Sequence, residues 1–218
     1  MTIEGNPRKR WLLEVAVLAV LLAAPGFQQL VFPPSRSAIW NSAFNWPYFL
    51  TQAGILAAPA LYMVWQSEEG WRLLGFNQGR GLPGAGLDLF EGSAVGLTLG
   101  MGSATLAKLF GGGFPNWDAR LSFVISGLPN QFFLVTVLLA TAVAMDRLRR
   151  ALNSGWKAWW LLFVFLGFLP QGATYYPYEA AWYMCQQLTF AAYFLVSGRF
   201  APLIVAAFVS NAIWLVQP

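Results

Sequence analysis

Long apolar runs recur along the whole chain, separated by short polar or Gly/Pro-rich stretches. A helix that crosses a bilayer needs roughly 20 mostly apolar residues. On that spacing the runs predict helices near 11–32, 46–65, 86–110, 121–145, 156–170, 179–197 and 200–217. The fifth is short, and the irregular segment Gln171–Tyr178 is a candidate continuation. Gly79 to Gly86 and Gly111 to Pro115 punctuate the pattern as turns. Neither follows a strand or matches a phosphate-loop spacing. No internal repeat interrupts the series. The predicted fold class is therefore all-α: a polytopic transmembrane helical bundle of about seven spans, with residues 1–218 forming a single integral membrane domain.

Composition strengthens this expectation. The chain has 218 residues, 57% hydrophobic and 10% charged, against roughly 25% charged in a soluble domain. Its mean hydropathy is +0.53. Trp11, Trp40, Trp46, Trp65, Trp156, Trp182 and Trp214 sit beside the apolar runs, where amphipathic rings favour the headgroup level. The first helix has a basic start and small residues at Leu22-Ala23-Ala24, features shared with signal peptides. Glu14 within the run and the continuation to Phe32 favour a retained span. Arg10, one turn before Glu14, is its candidate partner.

Charge then sets an orientation. With the N-terminus cytoplasmic, Arg8, Lys9, Arg10, Arg72, Arg80, Arg147, Arg149, Arg150, Lys157 and Arg199 fall inside, and only Arg36, Lys108 and Arg120 fall outside. The positive-inside rule selects this arrangement, with the C-terminus outside. The expected location is a bacterial cytoplasmic (inner) membrane. Because the bases track the loops, the net charge of +4 does not predict nucleic-acid binding.

Histidine is absent and Cys185 is the one cysteine. The sequence thereby excludes internal disulfides, multi-thiolate metal sites and chemistry that needs a histidine ligand or base from this chain. No cofactor is expected from the chain's own residues, although a bound lipid or pigment is compatible with them. Three groups of polar or small residues remain for consideration. Gly92, Gly96 and Gly100 recur one turn apart, which suits close helix packing within the chain, with a homodimer face as the alternative. Asp88 and Glu91 form an acid pair near the start of the third helix, suited to proton handling or, more simply, to an interfacial helix start. Asn130, Gln131, Gln186, Gln187 and Asn211 are amides inside apolar runs, where interhelical bonding is the ordinary use.

The phrase Leu73-Leu74-Gly75-Phe76 precedes the Gly-rich helix. Pro129-Asn130-Gln131-Phe132-Phe133-Leu134-Val135 opens a later apolar stretch, Phe165-Leu166-Gly167-Phe168-Leu169-Pro170 follows, and Pro202 to Asn211 lies near the C-terminus. This order resembles the CPBP family of intramembrane proteases, which includes CAAX-processing and bacteriocin-immunity membrane proteins. The resemblance covers about two-thirds of the chain and implies two N-terminal helices over 1–70 and a family-like core over 71–218. It places Asn130 and Gln131 in the slots of the family's paired glutamates and Val135 in the arginine slot. Pro170 and Ala207 take the histidine slots, and only Asn211 keeps the family residue. Under the charge-derived orientation, Gln131, Pro170 and Asn211 fall at similar depth on the outer side.

An amide cannot accept a proton near neutral pH, and loss of a general base alone costs a factor of about 10² to 10⁴ in rate. The resemblance thus implies a non-catalytic relative. Its expected role is a structural or accessory subunit that contacts membrane lipids and binds another integral membrane protein or complex. The competing expectations are an intramembrane hydrolase with a site rearranged around Asp88 and Glu91, and a small transporter or immunity-type protein.

Overall fold

The computed structural model describes residues 7–31, 42–67, 70–75, 81–109, 116–153 and 177–216. Among these residues the chain is all helical, with helices α1 (Pro7–Val31), α2 (Ser42–Trp65), α3 (Gly81–Leu109), α4 (Trp117–Leu152), α5 (Pro177–Ser197) and α6 (Ala201–Ala212). Short 3-10 segments lie at Gly70–Leu74 and Ile213–Leu215. Two stretches, Trp46–Trp65 and Trp117–Leu152, are long and apolar enough to cross a bilayer. The predicted helix at 156–170, with Pro170, and the turn at Gly111 to Pro115 lie outside the described residues.

The six helices fall on six of the predicted segments, and their ends differ for local reasons. Helix α3 begins at Gly81, inside the stretch expected to be a turn. Pro83 is tolerated there because the first helical turn does not use its N–H groups. Helix α4 runs on to Leu152 rather than stopping near residue 145. Its last turns carry Asp146, Arg147 and Arg150, which are paired with one another and with α1. The last helix tightens to 3-10 geometry after Ala212. Its twelve α-helical residues make it about 18 Å long.

The chain divides into two compact units, each gathered from three separated stretches. One comprises Met1–Pro34, Gly54–Gly70 and Thr136–Ala192, and the other Ser35–Ala53, Trp71–Val135 and Tyr193–Pro218. The division therefore passes through α2, α4 and α5.

In the first unit every residue of α4 from Val137 to Met145 is buried. A helix covered on all faces needs an apolar sequence all round, and this one supplies it. Its one polar residue, Thr141, bonds back to the Val137 carbonyl at 2.6 Å. Leu18 and Leu22 of α1 and Leu56, Ala60 and Val64 of α2 complete this core.

In the second unit α3 and α6 pack backbone to backbone along the glycine stripe. A Cβ on Gly92 would meet Pro202 and Val205, one on Gly96 would lie 2.7 Å from the Ala206 carbonyl oxygen, and one on Gly100 would meet Ile213 and Ser210. Each four-residue step on α3 matches a four-residue step forward on α6, so the two helices run parallel. The stripe packs against α6 of the same chain. Helix α4 runs opposite to α6: Val124 and Gly127 lie against Asn211, Phe123 against Trp214 and Phe132 against Phe208.

Candidate functional site

The acid pair of α3 belongs to the second unit, where the tight α5–α6 turn brings it a cation. Gly198 takes φ +64, and the Ser197 hydroxyl accepts the Arg199 backbone N–H at 3.1 Å. The Phe200 N–H donates to the Leu74 carbonyl at 3.0 Å. Gly75, at φ +73, lies so close beneath the turn that a Cβ would come within 2.9 Å of the Arg199 Cα. With its backbone fixed in this way, the buried Arg199 side chain reaches Glu91 through Nη1, at 3.1 and 3.0 Å to the two oxygens. Its Nη2 donates to Asp88, and the Tyr193 hydroxyl donates to Glu91.

This geometry decides what the two acids can do. Asp88 and Glu91 project one turn apart from α3 onto one guanidinium. A general base needs a lone pair aimed at a substrate proton. Here Glu91 receives Arg199 on both oxygens and Tyr193 on one of them.

The amide slots of the family resemblance lie in the same unit, on α4 and α6. The Asn211 Nδ2 donates to the Val124 carbonyl at 3.0 Å, in the part of α4 whose ladder Pro129 interrupts. Gly127 leaves room for it: a Cβ there would sit 2.8 Å from Asn211 Oδ1. Gln131 is buried, and its Oε1 has no hydrogen-bond partner among the described residues. The register of α4 against α6 sets Gln131 near the level of Ala207 and Phe208. Ala207 is fully buried, while Asn130 and Val135 are half-buried. The structure thus brings Asn130, Gln131, Val135, Ala207 and Asn211 onto two facing helices. Pro170 lies outside the described residues.

The first unit holds another buried arginine. Arg147 donates to Glu14 from Nε at 2.7 Å, to Asp146 from Nη1 at 3.1 Å and to the Met63 carbonyl from Nη2 at 2.9 Å. Arg10 holds the other oxygen of Glu14 at 2.9 Å, as the one-turn spacing predicts, and Arg150 holds Asp146 at 2.8 Å. In the sequence Arg147 and Arg199 stand out only as orientation signals. Their acidic partners, apart from Asp146, are more than 100 residues away in sequence, so no local spacing could have paired them.

Among the described residues no group of three His, Cys, Asp or Glu side chains converges as a metal site. Comparisons with protein-family models, with curated proteins and with solved structures return no match.

Proposed function

We propose that this chain is a seven-crossing integral membrane protein, N-terminus inside, that serves as a non-catalytic accessory subunit for another membrane protein or complex. The fold it would share is that of the CPBP intramembrane proteases, without their catalytic side chains. The observation that carries the non-catalytic reading is the use already made of the polar groups. Asn211 ties α6 to α4, and Arg199 and Tyr193 hold both Asp88 and Glu91. Gln131 and Asn130 are amides with no basic function.

Helix direction supports the count of crossings. Two parallel membrane helices in one chain are separated by an odd number of crossings. Helices α4 and α5 supply two between α3 and α6, and the apolar sequence 156–170 is the natural third. The same count leaves the basic residues concentrated on the inner side.

Gentle-detergent purification of the tagged chain from its native membrane tests the subunit role, with mass spectrometry and an absorption spectrum of the intact peak. A stoichiometric second protein is the expected result, and bound pigment would identify the type of assembly. A lone colourless monomer or homodimer would overturn the subunit reading and turn attention to hydrolase assays on Asp88→Asn and Glu91→Gln variants.

A further inference from the structure

The seam between α4 and α6 holds a polar atom that the described residues leave without a donor. Gln131 is only 7% exposed, and its Oε1 accepts no hydrogen bond from any of them. Buried side-chain polar atoms mostly have a protein or water partner, so this one calls for an explanation. Asn211, also buried, is half satisfied. Its Nδ2 donates to the Val124 carbonyl at 3.0 Å, but among the described residues no donor reaches its Oδ1.

Helix polarity directs these two oxygens toward one another. Asn211 lies opposite Gly127, where a Cβ would come within 2.8 Å of its Oδ1. Gln131 is one turn further along α4, near the level of Ala207, and Ala207 is one turn before Asn211 on α6. In any α-helix the Cα–Cβ bonds tilt toward the N-terminus. Because α4 and α6 run in opposite directions, Gln131 leans toward the level of Asn211, and Asn211 leans toward the level of Gln131. Two carbonyl oxygens cannot bond each other. What they share is the need for a donor, and the residue facing Gln131 across the seam ends in a methyl group.

We propose that one enclosed water molecule bridges α4 and α6, donating one hydrogen to Gln131 Oε1 and the other to Asn211 Oδ1. Water carries two donors on a single small atom, which matches two acceptors in a close-packed seam, and buried waters ordinarily have two to four such partners. A lipid hydroxyl carries one donor and would leave one oxygen unanswered. An ammonium group would bring an unpaired charge among Gln131, Asn211, Ala207, Phe132 and Phe208, all of them neutral. Neither amide accepts a proton from the water near neutral pH, so it cross-links the helices and is not activated as a nucleophile. The bridge depends only on the packing of α4 against α6, and its failure would leave the subunit reading untouched.

Two measurements on the full chain test this. The first is the sign of the Tm change in Gln131→Met, which keeps the side-chain volume and removes the amide. With the bridge, the variant loses a water-mediated bond and leaves Asn211 Oδ1 without a donor, so Tm should fall by about 2–4 °C. Without it, the substitution removes an unsatisfied buried oxygen and Tm should rise. A rise or an unchanged Tm would overturn the proposal. The second measurement is independent of any variant's folding: dipolar transfer from water to glutamine side-chain amides, by NMR of the wild-type chain labelled with ¹⁵N-glutamine. A long-lived water contact at the Gln131 amide is expected. Transfer to that amide from lipid or detergent protons alone, or from none, would overturn the bridge.

Discussion

Among the described residues each compact unit holds one buried arginine, and the two are held differently. Arg147, in the first unit, has a side chain 6% exposed, and its two acids are 13 and 16% exposed. It also donates to the Met63 backbone carbonyl. Arg199, in the second unit, has a side chain 9% exposed, but its acids are 28 and 30% exposed. Arg147 is therefore surrounded by groups that have lost most of their water, whereas the acids around Arg199 keep part of theirs. Desolvated charges depend on their partners far more than hydrated ones do, so these similar-looking clusters should differ in how much stability depends on them.

The largest expected effect follows directly. Arg147→Gln leaves Glu14 and Asp146 without their central cation and Met63 without its guanidinium donor, at a cost of about 3–5 kcal/mol. Thermal unfolding in detergent should show a large drop in Tm. Arg199→Gln should cost less, about 1.5–3 kcal/mol, because water can approach Asp88 and Glu91. Equal losses in the two variants would break the comparison, since exposure of the acids would then not be the deciding factor.

How much of this was legible in the sequence depended on range. Helix positions were readable because hydropathy and helical period are local, and Arg10 with Glu14 was readable because the two lie one turn apart. The glycine stripe announced close packing, but not that α6 would be the helix received. Asp88 and Glu91 were visible as a pair, yet their spacing alone also suited proton chemistry. What occupies them is Arg199, delivered by a turn that depends on Gly75 and Gly198. Arg147 was hidden in the same way, by a charge run at the end of α4 that resembles any solvated helix end. The amides could be named as slots, but the partner of Asn211 is a backbone carbonyl, which no side-chain pattern encodes.

A third substitution sharpens the contrast through the backbone. Gly70 and Gly75 both have positive φ, at +52 and +73, and they belong to different units. A Cβ on Gly70 would meet nothing within 4 Å, whereas one on Gly75 would strike the Gly198 carbonyl and the Arg199 Cα. Gly70→Ala should therefore cost only the left-handed strain, about 1–2 kcal/mol. Gly75→Ala should cost a further 1–2 kcal/mol or so, and should weaken the dependence on Arg199 by displacing its turn. Equal Tm losses in the two variants would mean that the turn yields without disturbing the cluster.

The smallest effect concerns Tyr193, whose hydroxyl shares Glu91 with Arg199. Tyr193→Phe deletes one donor and leaves the ring in place. Glu91 retains the guanidinium and some access to water, so the expected cost is about 1 kcal/mol. In an Arg199→Gln background the same change removes the hydroxyl from a carboxylate that has already lost its cation. The tyrosine should then matter more, because its donor becomes the main protein contact stabilising the charge. A double-mutant cycle on Tm or on denaturant midpoint measures this directly. A coupling energy of about 0.5–1 kcal/mol with that sign would establish that Tyr193 and Arg199 substitute for one another at Glu91. Strict additivity would instead mean that water takes over wherever one of them is lost, placing the second unit's cluster even further from the dry arrangement around Arg147.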